Sequence, residues 1–572
     1  MTSTEETPVP VVKVLPAVLE QMAENTAEDM GACLRPIAVK RVDIATGETM
    51  VVPIPCGATQ SAVCPSCADK ARRLRVHQAR EGWHLESEPR IETQEPTASQ
   101  RAALGQLADL TEGRALAVSV GDGHGLAEID AEIDACHALI EADGLRGTPS
   151  KPGEAKKAKV VRSTRRRQDV PDLPRKRVED KTTGRVFTAP NGTVFRPSTF
   201  LTLTLDSYGP VHSASSKPEH PRGCRCGRVH RKGDGIVGTP VDRDAYDYTR
   251  AARDAIHFGK LIDRFWQNLR RATGWNVQYF AAVEPQQRLA MHLHAAVRGT
   301  IPRKLLRQVT HATYHQVWWP THDHPVYSED TPPVWDEHTS CYVDPGTREP
   351  LRSWDDALDD TLEPGAEPAH VVRFGPNGID VQGVNAGTDK AGKCLGYLVK
   401  YITKDLDGCH EADTDAEQAH LARLAEALRA QPCSESCPNW LLYGIHPEDA
   451  AKGLVPGACK GKAHRPTNLG YRGRRCLVSR KWSGRNLTEH RAERRDHVLK
   501  TLGAVGAKVE MVTADDPDGT RYRWVRIADD DPDPPDRTQL LLHSIAQQRR
   551  WREQYQQARQ AAEYSATNDQ AA

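Results

Sequence analysis

No stretch of this 572-residue chain approaches the ~20 uninterrupted apolar residues that a bilayer-spanning helix requires, so no membrane partner is expected. The opening Met1-Thr2-Ser3-Thr4-Glu5-Glu6 has neither the basic start nor the apolar core of a secretion signal, which points to a cytoplasmic protein. Net charge is missing too: Lys and Arg number 77, and so do Asp and Glu. That balance removes overall charge as a pointer to any partner and leaves only its distribution. No internal repeat is visible, so stacked-repeat architectures are set aside. With no export signal, 14 cysteines argue for metal thiolates or free thiols over disulfides.

The hydrophobic fraction is 38% and the charged fraction 27%, which describes a soluble, rather polar chain with irregular connectors. Its length corresponds to roughly three or four domains. Lys156, Lys157, Lys159, Arg162, Arg165, Arg166, Arg167, Arg175, Lys176 and Arg177 crowd one tract. Such a tract either neutralises phosphates by counterion release or is a solvated linker, and both readings stay open. Residues 321–370 are acidic, with Asp355-Asp356 and Asp359-Asp360.

The fold class expected is α+β, an antiparallel sheet with flanking helices and small zinc modules. Residues 1–27 read as a flexible tail and 28–80 as a zinc module. Residues 81–190 read as a helical segment and basic linker. The core domain spans 191–408, with insertions at 212–240 and 321–370. A second zinc module covers 409–490, and 491–572 is helical with an acidic, Pro-rich break at 529–536. Within the core, Phe200-Leu201-Thr202-Leu203-Thr204-Leu205 alternates as a strand should. A long amphipathic helix is expected over 244–273. Strands at 277–283 and 287–297 form a hairpin about Glu284-Pro285-Gln286. A helix is expected over 302–319, one or two strands within 370–384, and a final helix from near Lys393.

The chemistry gathers on two segments. His292-Leu293-His294 lies on a strand, where side chains two apart share a face, so both imidazoles point one way and Met291 and Leu293 the other. Glu284, at the end of the neighbouring strand, is placed to add an oxygen ligand. Two imidazoles and a carboxylate suit Mn²⁺ better than Mg²⁺, and phosphoryl chemistry tolerates either. Three protein ligands leave positions for a phosphate oxygen. The second segment is Tyr397-Leu398-Val399-Lys400-Tyr401-Ile402-Thr403-Lys404, where helical spacing puts Tyr397 and Tyr401 on one face. A phenol of pKa ~10 needs a nearby cation and a positioned phosphate before it attacks, and Lys400 and Lys404 are placed to stabilise the phosphate charge. Each segment alone also reads as ordinary packing.

In order, these segments resemble the three motifs of HUH endonucleases, the rolling-circle replication initiators and their relatives. The two tyrosines four apart resemble the two-tyrosine branch. Arg480-Lys481-Trp482-Ser483-Gly484 and the flanking cysteines resemble initiators of actinobacterial plasmids and integrative elements. The resemblance covers roughly residues 28–490. It implies an antiparallel-sheet nicking domain and strand-specific cleavage of DNA at a plasmid origin, single-stranded or hairpin. It further implies a 5′-phosphotyrosine, a 3′-OH that primes synthesis, and rejoining by the second tyrosine. Met291 stands where the family usually has proline. No convincing helicase motif is present, so a host helicase and polymerase are the expected partners. Two alternatives share many of these features: a relaxase- or transposase-type nicking enzyme, and a non-catalytic, zinc-dependent DNA-binding protein.

Cys33, Cys56, Cys64 and Cys67 can supply four thiolates for structural Zn²⁺, the alternatives being a redox pair or unlinked thiols. Cys433, Cys437, Cys459 and His464 form a second candidate, with Cys476 and His446 as substitutes. Cys224-Arg225-Cys226 with His230 reads either as a metal knuckle or, with Arg222, Arg225, Arg228, Arg231 and Lys232, as a basic loop touching DNA. Gly387-Thr388-Asp389-Lys390-Ala391-Gly392-Lys393-Cys394 nearly matches a phosphate-binding loop, but Cys394 replaces the Ser or Thr that Mg²⁺ needs, so it reads as a loop and helix cap.

Overall fold

The computed structural model describes residues 16–83, 85, 98–120, 122–142, 166–174, 182–183, 185–215, 223–386, 388–400, 412–485, 487–504, 522–527 and 535–569. They divide into two compact units. The smaller, residues 90–166, contains helices α3 (Ala98–Val120) and α4 (Gly123–Ala142). These pack through Leu107, Ile133 and Cys136, with an Arg114–Asp130 ion pair at 2.6 Å beside them.

The larger unit is built on a seven-stranded sheet. Its strands are β3 (Phe187–Thr188), β4 (Val194–Leu205), β5 (Tyr279–Pro285), β6 (Met291–Arg298), β7 (Tyr314–Val317), β10 (His370–Ala386) and β11 (Cys476–Val478). The order is β11-β5-β6-β4-β10-β7, with β3 beside β4, and every pairing is antiparallel. The expected α+β class therefore holds.

Strand alternation sorts the sheet's residues onto two faces. Leu201, Leu203, Leu205, Ala281, Val283, Met291, Leu293 and Ala295 enter the main core. There they meet Ile256, Leu261, Phe265 and Leu269 of α5 (Tyr248–Thr273). That helix is fixed at both ends: the Asp247 side chain accepts from the Arg250 N–H, and Gly274 takes a left-handed C-cap at φ 83°. Phe200, Phe280, Ala282 and Ala296 lie on the opposite face, under Leu395, Leu398 and Val399 of α8 (Asp389–Lys400) and beside Trp482.

Several expected boundaries move. The hairpin turn falls after Pro285, where the Gln286 N–H donates to the Ala290 carbonyl at 2.9 Å. The helix expected over 302–319 ends early, as α6 (Arg303–His311). Tyr314-His315-Gln316-Val317 then pairs as an edge strand with His370–Arg373, and ladder bonds win over helical periodicity. The 370–384 region is one strand with an irregularity between Phe374 and Ile379. Helix α8 begins at Asp389, so most of the glycine-rich decoy lies inside it. Residues 16–29, most of them within the expected tail, form α1 (Pro16–Asp29).

The two ends of the chain fold together. β1 (Ile37–Asp43) pairs with β2 (Thr49–Ile54) and with β12 (Tyr522–Arg526). Leu541 of α11 (Arg537–Asp569) packs on Ala23, Ala27 and Ala32. α2 (Pro65–Trp83) joins this layer to the main sheet: Gly82 sits so close to Trp482 that a Cβ would lie 2.2 Å from the indole. The acidic insertion supplies β8 (Val334–Asp336), β9 (Cys341–Val343) and α7 (Trp354–Asp359), and both Val326 and Tyr327 N–H donate to the Leu442 carbonyl. It packs against the second cysteine module, which α9 (Asp415–Ala430) precedes. Among the described residues, no helix is long and apolar enough to cross a membrane.

Candidate metal centre and nucleophile

Register brings the expected ligands together. Glu284 on β5 sits opposite His292 on β6, and His294 sits between Ala282 and Thr202. All three side chains project toward α8. Their ligand atoms lie within 4.8 Å of one another. Nε2 of His292 is 3.6 Å from Glu284 Oε2, and Nε2 of His294 is 4.0 Å from it.

Burial makes this a neutral-imidazole site. Both histidines are pushed down to about 4: His292 by burial and then by the Arg288 charge, His294 by burial and then by His292. Burial pushes the Glu284 carboxyl up, against the pull of His294, Arg475 and Lys400. Glu284 Oε1 is buried without a hydrogen-bond partner. A buried carboxylate with one oxygen unpartnered and the other facing two uncharged imidazoles suits a divalent cation. Thr202 sharpens the fit. Its hydroxyl contacts His294 Nδ1 at 2.9 Å, so an Nδ1–H tautomer donating to Thr202 aims the Nε2 lone pair into the site. Phe200 stacks on the same ring at 6.0 Å between centroids.

Helix α8 supplies the phenol. Ala391, Leu395, Leu398 and Val399 anchor its apolar face, which leaves Tyr397 39% exposed on the flank. Its hydroxyl lies 3.3 Å from His294 Nε2, and the two rings meet edge-on at 4.9 Å. Lys400, one turn on, is exposed and close enough to lower the Glu284 carboxyl. Tyr401 and Lys404 lie outside the described residues, as does most of the basic tract. Arg167, within that tract, is described and pairs with Asp169 at 2.8 Å.

Two contributors escaped the sequence reading. Thr202 was visible only as part of an alternating strand. Arg475 reaches Glu284 because the residue just before β11 aligns with Val283, whose N–H donates to the Arg475 carbonyl at 2.8 Å, and no local pattern encodes that pairing.

The cysteine clusters also assemble and could bind a metal such as zinc. Cys33 and Cys64 sulfurs are 3.9 Å apart, as are those of Cys433 and Cys459. That matches the edge of about 3.8 Å for a tetrahedron with Zn–S bonds of about 2.3 Å. Cys56 and Cys67 complete the first group. Cys437 lies 3.6 Å from His464 Nε2 in the second, and Cys476 and His446 stay outside it. Contact with Cys33 pulls the Cys67 thiol down to about 5. The His464 imidazole is raised to about 9 by Cys433 and Cys459, against burial.

The sheet thus carries paired histidines, a carboxylate and a flanking tyrosine in one place. The profile of the replication initiator protein family of pSAM2, RepSA, matches residues 20–193 and 182–547. The chain belongs to this family of replication initiators. A curated protein named "Replication initiator protein", from Streptomyces ambofaciens, is 28% identical over 260 residues. That alignment covers 41% of this chain and 50% of the relative, so the match spans half the relative's length. No solved structure matches significantly.

Proposed function

We propose that this chain nicks one DNA strand at the origin of its replicon, as an HUH-type enzyme with Tyr397 as a nucleophile. The observation that carries the reading is the Tyr397 hydroxyl 3.3 Å from His294 Nε2, at the edge of the Glu284–His292–His294 cluster. Membership of a replication initiator family supports the biological setting. Mg²⁺ or Mn²⁺ held by the two imidazoles and the carboxylate would supply Lewis-acid stabilisation of charge on the scissile phosphate.

The protein's own groups do the rest. Lys400 and Arg475 draw the phosphate toward the buried carboxylate's edge of the site, and the exposed flank of α8 presents the phenol to it. The phenol oxygen bonds to phosphorus, the P–O3′ bond breaks, and the phenolic proton is balanced by the proton gained at the 3′-OH. The product is a 5′-phosphotyrosine with a 3′-OH that a host polymerase can extend, after unwinding by a host helicase. Tyr401, four residues on, is assigned the rejoining step. The two cysteine modules hold structural Zn²⁺ and help grip the origin.

The test is a single-stranded oligonucleotide carrying the origin, incubated with purified protein and Mn²⁺ or Mg²⁺. A covalent adduct is expected on a denaturing gel. Tyr397→Phe and Tyr401→Phe should each impair a different stage, and the double variant should form none. An adduct that survives in the double variant removes both tyrosines from the mechanism.

A further inference from the structure

The excursion between β4 and α5 holds a second kind of donor cluster, well away from α8 in sequence. His212, Cys224, Cys226 and His230 bring their ligand atoms within 4.8 Å of one another. His212 Nδ1 is 3.2 Å from His230 Nε2 and 3.7 Å from the Cys224 sulfur, and the Cys226 sulfur is 3.1 Å from His230 Nε2. His212, Cys224 and His230 are buried.

We propose that these four residues form a third structural zinc site, and that it displays Arg225 and Arg228 to the DNA phosphate backbone. Two thiolates and two imidazoles are the soft, tetrahedral donor set that selects Zn²⁺ over Mg²⁺ or Ca²⁺, and two thiolate charges cancel the ion's own. The backbone is already folded as a knuckle. Cys224 N–H donates to the Arg228 carbonyl at 2.7 Å, and Gly227, at φ 84°, donates to the Cys224 carbonyl at 2.9 Å. That turn swings Cys224, Cys226 and His230 to one side. His212 arrives on a separate segment, held by its N–H on the Thr239 carbonyl and its carbonyl under the Gly238 N–H, both at 2.8 Å.

Apolar packing does not explain this order. Among the described residues of the excursion, only Tyr208 and Tyr246, at its two ends, and Cys224 are buried hydrophobics. A loop of this length without a core needs a cross-link, and a metal is what the four donors can hold. Arg225 and Arg228 lie within the knuckle, and Arg228 stands exposed on it. The base of the excursion is fastened to the turn that carries the metal-centre hairpin. A Cβ on Gly238 would lie 2.3 Å from the Gln287 side chain, and the Tyr246 hydroxyl donates to the Arg288 carbonyl at 2.6 Å. DNA held by the knuckle would therefore be registered against β5 and β6.

The experiment uses the full-length protein. Metal analysis should find one equivalent of zinc fewer in Cys224→Ser/Cys226→Ser than in the parent protein, whatever the other two modules hold. An unchanged zinc content overturns the site. Thiol alkylation of the unsubstituted protein, read by peptide mass, avoids any folding defect. Cys224 and Cys226 should be protected until a chelator is added, with Cys476 on β11 as the control for global unfolding. Alkylation of both that ignores the chelator also overturns the site. Arg225→Ala/Arg228→Ala should keep its zinc and weaken DNA binding, with the salt slope falling by about 0.9 for each phosphate that is no longer neutralised. A slope and affinity equal to the parent's overturn the DNA-facing half of the proposal. Failure of origin cleavage leaves both readouts intact, so this inference and the nicking reading can fail separately.

Discussion

At the residue scale, Thr202 carries a consequence that its chemistry alone would not suggest. Its hydroxyl, 2.9 Å from His294 Nδ1, can accept from an Nδ1–H and so leave the Nε2 lone pair for the site. Thr202→Val keeps the β-branched shape and removes the oxygen. Divalent-ion affinity should fall ~10–100-fold, the usual cost of losing such a partner, while Thr202→Ser restores most of it. Isothermal titration with Mn²⁺ measures this, and equal affinities for the Thr and Val forms would remove the tautomer argument. His292→Ala should lower metal-dependent cleavage more than DNA binding. Equal loss of both, by adduct yield and gel shift, would make the histidine purely structural.

At the scale of elements, the site depends on a strand irregularity. β10 shifts register between Phe374 and Ile379, and Gly378 fills the gap so tightly that a Cβ would lie 2.3 Å from the Thr204 carbonyl oxygen and 2.8 Å from the Gly375 nitrogen. Both obstacles are backbone, so neither can swing aside. Thr204 is the register partner of His292. Gly378→Ala should therefore cost ~1–3 kcal/mol in urea unfolding and, on the proposed mechanism, also reduce cleavage, because it displaces the strand beside His292. Unchanged stability would mean that β10 has room to relax.

On the α5 side of the sheet lie His257 on α5, His315 on β7 and His322, with the His257 and His315 rings 5.9 Å apart. Burial pushes all three imidazoles down, the latter two to about 4, helped by Arg264 and Lys260 at His315 and by Arg253 at His322. Unfolded, each titrates near 6.5, so the unfolded chain binds more protons between those values. Their contribution is fully present above about pH 6.5 and is lost as pH falls toward 4. The urea midpoint should drop steadily across that window, before most carboxylates titrate, and a flat midpoint from pH 7 to 5 would contradict the burial of these rings. The alternation that made β4, β5 and β6 legible in sequence is the same alternation that sorts Leu293 from His292 and His294. The end of α6 was not legible, because an edge pairing with β10 decides it. His212 is not legible as a ligand because the first of its cluster partners, Cys224, lies 12 residues further along the chain.

Across the whole molecule, the ends of the chain were the least legible part. β1 accepts β2 from its own hairpin and β12 from the far end, Val39 opposite Arg526 and Asp43 opposite Tyr522. Leu541 closes the small core over Ala23 and Ala27. Nothing periodic in either segment announces the other, since pairing over such a separation is set by tertiary fit. The first cysteine module is thus not held by its thiolates alone; it lies between β1, α2 and the returning C-terminal segment. Removing residues 522–572 should strip β1 of one ladder and uncover Ala23 and Ala27. The expected outcome is faster amide exchange in β1 and α1 and, in protein loaded with zinc, weaker retention of the metal by the Cys33, Cys56, Cys64 and Cys67 group. Exchange in β4, β5 and β6 should not change, because their bonds lie within the central sheet. Loss of protection in the central strands as well would show that the terminal layer and the sheet fold as one cooperative unit, with α2 and the Gly82–Trp482 contact transmitting the damage.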